Sequence, residues 1–130
     1  MFGFLTRQRV EVFEGFKTKW ASPIPGVGHI DFKNLVWTWL LTQQGYKKCV
    51  VSAPAYKGHA DVTGYDADGA LWAYRCAEQT EELDADVVKQ ALKGQQEVHA
   101  AHAGVVSISG YTKQARELAF RKDVRLVMLK

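Results

Sequence analysis

At 130 residues with 47% hydrophobic and 24% charged side chains, the chain can close one hydrophobic core, and it holds no apolar run long enough to span a bilayer. Two cysteines exclude a disulfide framework, and the opening MFGFLTRQRV meets charge too soon for a secretory signal, so a reducing cytoplasm is the expected setting. The net charge of +3 is segregated: eight Lys/Arg against three acids over residues 1–60, three against nine over 61–100, and six against two over 101–130, so basic flanks that share a face would attract a polyanion.

Residues 1–30 carry two patterns. Leu5, Val12, Phe13, Phe16 and Trp20 fit a helical stripe, whereas Val10 and Val12 fit a short alternating strand, and the segment is assigned as a separate N-terminal arm. SPIPGVGH, 22–29, gathers two of the three prolines and two glycines into a loop. Asp31 is then the expected N-cap of a helix whose Phe32, Leu35, Val36, Trp39 and Leu40 share one face, with Gly45 as its stop and Trp37 off the stripe. YKKCVVSA, 46–53, reads as a strand. After a loop through Pro54 and Gly58, Asp61 opens a hairpin turning at Asp66–Gly69, and the returning strand carries Arg75, Cys76 and Ala77.

Asp84 caps a second predicted helix with its stripe at Val87, Val88, Ala91, Leu92, Val98 and Ala101; Gly94 within it implies a close backbone approach, and Gly104 is its expected end. GVVSISG follows as an apolar strand of the buried parallel kind, Tyr111 and Thr112 lead into a third helix, and VRLVML closes as a strand. One mixed sheet flanked by helices is the expected α/β architecture. Cys49 and Cys76 fall in strands without zinc-type spacing and read as small buried hydrophobes. His99 and His102, three apart on the second helix, have no third ligand beside them and are assigned to its surface.

The helix ending in Leu40, Leu41, Gly45 and Tyr46, the strand start with Gly58 and Asp61, and the block GVVSISGYTKQARELA together resemble the Mrr-type restriction endonuclease domain of the PD-(D/E)XK nuclease superfamily. The resemblance runs from about Phe32 to Leu129 and implies a restriction-endonuclease-like three-layer sandwich over residues 31–130. In that family an Asp on one strand and a Glu or Gln, one residue, then Lys on the next hold a divalent ion and activate water. Asp61 matches the Asp, but Arg75 stands at the Glu/Gln place and Ala77 at the Lys place, and Lys33 stands where family members often carry a helix acid. Magnesium requires several hard oxygen ligands, and a guanidinium beside Asp61 would pair with it and repel the ion, so the catalytic motif is read as a remnant and no cofactor is expected.

The resemblance therefore implies a DNA-binding pseudo-nuclease of a bacterial or mobile-element setting. Arg75, Ser109, Thr112, Lys113 and Arg116 are its candidate nucleic-acid contacts, because the turn before the third helix combines hydroxyls, a helix N-terminus and nearby cations. Arg121, Lys122 and Arg125 join this basic set only if they share its face. Two alternatives remain open. One is an active Mg2+-dependent endonuclease in which Glu78, Glu81, Glu82, Lys89 or Lys93 rebuilds the site around Asp61 as metal ligand; the other is a structural protein that forms homo-oligomers through the arm. Trp20, Trp37, Trp72 and Tyr74 offer base-stacking surfaces but read first as packing residues.

Overall fold

The computed structural model describes residues 9–16, 29–53 and 57–130. The elements in chain order are β1 (Glu11–Phe13), α1 (His29–Thr42), β2 (Lys47–Val51), β3 (Val62–Tyr65), β4 (Leu71–Ala77), α2 (Ala85–Val98), β5 (His102–Ser107), α3 (Lys113–Lys122) and β6 (Val124–Leu129). The strands form one sheet in the order β1-β6-β5-β4-β3-β2. β4, β5, β6 and β1 run parallel, and β2–β3–β4 is an antiparallel meander. Leu5, Trp20, the 22–29 loop apart from His29, and Pro54 lie outside the described residues.

Two cores on opposite faces make the three layers. α1 supplies Phe32, Val36, Trp39 and Leu40 to one, against Tyr74, Cys76, Val106 and Val127. α2 and α3 supply Val87, Val88, Ala91, Ala115 and Ala119 to the other, against Ala103, Val105 and Leu126. β5 is buried on both faces, which is why its sequence is a continuous apolar run rather than an alternation.

Local chemistry sets the element ends. Asp84 caps α2 through the Asp86 N–H, and Thr112 caps α3 through the Ala115 N–H. Gly45 adopts the left-handed conformation at φ 70° just beyond α1. Asp66 accepts the N–H groups of Asp68 and Ala70 and so shapes the hairpin turn. Lys48, left-handed at φ 53°, shifts the register between Lys47 and Val50 and bulges the edge strand β2.

Four expectations change. Helix α1 begins at His29, so Asp31 falls within its first turn instead of capping it. α2 ends at His99, which takes the left-handed cap position at φ 55°, and Gly104 lies inside β5, where the Tyr74 ring leaves no room for a Cβ. His99 and His102 consequently share no helix: one is a cap, the other opens a strand. Residues 11–13, read as part of an arm, form the edge strand β1 beside β6.

Candidate functional site

Asp61 lies immediately before β3, its N–H donating to Tyr74 O at 2.9 Å and its carbonyl accepting from Ser52 N at 2.8 Å. These bonds pin its backbone between β4 and the end of β2. Upstream, the loop is pressed onto α2: a Cβ on Gly94 would lie 2.8 Å from Ala60 N, and Glu97 binds both the N–H and the ring of His59. The expected close approach at Gly94 thus holds the site in place.

The carboxylate is 2% exposed and surrounded by donors. Cys76 N–H donates to Oδ2 at 2.8 Å, Arg75 Nη1 lies 3.2 Å from Oδ2 and 3.4 Å from Oδ1, and Lys33 Nζ lies 3.5 Å from Oδ1. Lys33, itself only 4% exposed, also donates to Ser52 Oγ at 2.8 Å, while Arg75 Nε donates to Gln90 Oε1 on α2 at 3.0 Å. The two helical layers therefore each steady a cation against one carboxylate. A buried charge is tolerated only when paired and hydrogen-bonded, and Asp61 meets both conditions. Burial, reinforced by the Asp61 charge, pushes the Cys76 thiol well up and keeps it neutral.

These residues do not fit a divalent ion. Among the described residues no three His, Cys, Asp or Glu side chains converge, and both Asp61 oxygens are occupied by N–H donors. Ala77, at the end of β4 opposite Ser107, brings only a methyl group. Beside the motif runs a groove of about 520 Å3 in which Glu78, Glu82, Asp84 and Asp86 face Arg75, its one cationic lining residue among the described residues. Strand alternation sends Glu78 to the face opposite Ala77, yet both line the groove, because β4 ends at Ala77 and alternation ends with it. Lys89 and Lys93 are exposed on α2.

The turn before α3 is stitched to the segment 81–83. Ser109 Oγ donates to Glu81 O, Thr112 N–H to Leu83 O, and Leu83 N–H to Gly110 O. Thr112 Oγ1 is spent on the cap, and Arg116 Nη1 donates to Tyr111 O at 2.6 Å. Lys113 is exposed. Arg125 stands apart from this set: it makes a two-bond pair with Glu11 and donates to Tyr74 Oη and Gln44 Oε1, tying β1, β4 and the turn after α1 to β6. Trp37, 36% exposed, donates its ring N–H to Cys49 O, and Trp72 donates to Asp66 Oδ2 while stacking on Tyr74.

Sequence reasoning identified Asp61 and Arg75 as neighbours but not the position of the Lys33 ammonium. The available signal was its spacing, three and seven residues before the buried Val36 and Leu40 on the same helix face.

Residues 26–130 match the restriction endonuclease family Mrr_cat. The chain belongs to the Mrr-type restriction endonuclease family. In fold, this Mrr-type domain is similar to a repair endonuclease from Pyrococcus abyssi, with a TM-score of 0.64 and 17% identity over 84% of this chain and 50% of that one. It is also similar to the DNA modification-dependent restriction endonuclease AspBHI, with a TM-score of 0.55 and 15% identity over 77% of this chain and 28% of that one. The Mrr-type domain thus spans half or less of the length of these two structural relatives. No curated protein matches it.

Proposed function

We propose that this Mrr-type domain binds DNA without hydrolysing it. The observation that carries the reading is the Lys33–Asp61–Arg75 cluster: two cations occupy the surroundings of the one carboxylate that the family motif retains. A divalent ion entering there must displace a guanidinium and approach a buried ammonium, and only one protein carboxylate would receive it. Hydrolysis also lacks the lysine of the motif, because Ala77 has no proton to give or take.

Family membership supports DNA as the ligand. Lys113 and Arg116 at the start of α3, with the partly exposed Arg75, are the proposed phosphate contacts; Ser109 and Thr112 serve by holding that turn in shape. The four groove carboxylates repel a phosphate backbone, so the duplex sits across the α3 end of the site and its strands stay out of the groove.

The test incubates the full chain with supercoiled and linear DNA in Mg2+, in Mn2+ and in chelator, and reads cleavage and mobility shift on the same samples. The expected result is a salt-sensitive shift, equal with and without metal, and intact DNA. Metal-dependent nicking that follows the protein through purification and disappears in a Glu78→Gln/Glu82→Gln variant would establish a rebuilt nuclease. A chain that neither shifts nor cuts DNA would overturn both readings.

A further inference from the structure

A second cleft lies at the other end of the parallel strands. It has a volume of about 550 Å3, within the range of small-ligand sites, and is lined by Arg9, Trp72, His102, Phe120, Asp123 and Arg125, among others. Trp72 and His102 are register partners at the starts of β4 and β5, whereas Arg75 and Ala77 lie toward the other end of β4. We infer that this cleft binds an aromatic base carrying a phosphate, either a free mononucleotide or an unpaired nucleotide of a strand.

The aromatic lining is held in position before any ligand arrives. The Trp72 indole is fixed by its N–H bond to Asp66 at 2.8 Å, lies parallel to Tyr74 with centroids 5.5 Å apart, and meets His102 with centroids 4.6 Å apart. Phe120, at the end of α3, is 42% exposed at the cleft, a large apolar surface on the short helix that also carries Arg121 and Lys122. Trp72 and His102, packed on each other and on Tyr74, form a fixed wall, and the exposed surface of Phe120 is where a base of any sequence stacks.

The charges divide the remaining work. Arg125 spends its donors on Glu11, Tyr74 and Gln44 and lies 6.0 Å from the Trp72 centroid, so it stiffens the floor. Arg9 is exposed at the cleft and makes no hydrogen bond or ion pair among the described residues, which leaves its guanidinium to meet a phosphate. Asp123 lines the same cleft, where it opposes a bare anion and accepts amino protons from a base edge. The combination favours base and phosphate together over either part alone.

The full chain is titrated with AMP, ribose 5-phosphate and a 5′-phosphorylated single-stranded hexanucleotide, following amide and indole shifts by NMR. AMP is expected to shift Trp72, His102 and Phe120 saturably, with ribose 5-phosphate weaker by about fivefold or more, the loss set by base stacking. Phe120→Ala and Arg9→Gln, both at exposed positions, are each expected to weaken AMP by about fivefold or more while melting like the parent. Tighter binding of the hexanucleotide at the same residues assigns a strand as the source, and tighter binding of AMP assigns the free nucleotide. Equal binding of ribose 5-phosphate, indifference to both substitutions, or no saturable shift at Trp72 overturns the inference. DNA binding at the Arg75 end is read separately, by mobility shift with an Arg116→Ala control, so neither outcome decides the other.

Discussion

Asp61 is held by a small set of donors and cations. It accepts a main-chain N–H from Cys76 and balances Lys33 and Arg75, so its buried charge is paired from both α1 and β4. Removing it strands an ammonium that is almost fully buried. Asp61→Ala is expected to lower stability by about 3–5 kcal/mol, the scale for breaking one side of a buried ion pair, measured by urea unfolding. Lys33→Met is expected to cost less, because Arg75 and the Cys76 N–H still hold the carboxylate. If Asp61→Ala unfolds like the parent, the cluster is not a structural unit.

At the level of elements, the β3–β4 hairpin depends on another acid. Hydrogen bonds from the Trp72 indole and the Ala70 and Asp68 amides hold the Asp66 carboxyl below the usual carboxylate range. A lowered folded-state value means that its stabilisation is complete above the unfolded value near pH 4 and fades as pH falls through the folded one. Trp72 fluorescence should therefore change on acidification below about pH 4 in the parent, and the same change should be absent in Asp66→Asn.

The edge strand β1 has a different anchor. Arg125 bonds Glu11 through Nε at 2.6 Å and Nη2 at 2.9 Å, and Arg125→Met leaves Glu11, Gln44 and Tyr74 without that partner. A loss of about 3 kcal/mol is expected, with amide exchange rising first at residues 11–13. Uniform exchange along β1 and β5 in this variant would show that Arg125 does not hold the edge.

What was legible divides along the same lines. The hairpin, α2, α3, β5 and β6 announce themselves within short windows, through Asp66 and Gly69, the Asp84 and Thr112 caps and continuous apolar runs. The end of α2 was misplaced because His99, a non-glycine residue, occupies the left-handed cap. β1 was half legible: the Val10 and Val12 alternation is present, but a helical stripe competes with it over the same residues, and its partner strand lies at the far end of the chain. At the site, register alone paired Asp61 with Arg75. The Lys33 contact needed the packing of α1 on the sheet, since a helix lysine ordinarily reaches water.

For the whole molecule, the segregation of charge acquires a location. The acidic middle of the chain supplies all four carboxylates of the groove at the motif, and the basic C-terminal portion supplies Lys113 and Arg116 beside it. A domain built this way should bind DNA through few phosphates. The slope of log affinity against log salt is expected to fall by about one for each of Lys113→Ala and Arg116→Ala, without change in sequence preference. Tighter binding in Glu78→Gln/Glu82→Gln would confirm that the groove repels the backbone, and an unchanged affinity would place the DNA elsewhere.

Glu11 and Arg125 are separated by 114 positions, and among the described residues β1 has β6 as its only neighbour in the sheet. During synthesis β1 must wait until β6 has left the ribosome before it meets that partner. The hairpin carrying Asp61 and Arg75 needs no such delay, since its strands are adjacent in sequence. Loop-closure entropy makes the edge a late event in folding, so the motif end of the sheet takes shape while the base-and-phosphate cleft, which borrows Arg9 and the Glu11–Arg125 tie, is still open.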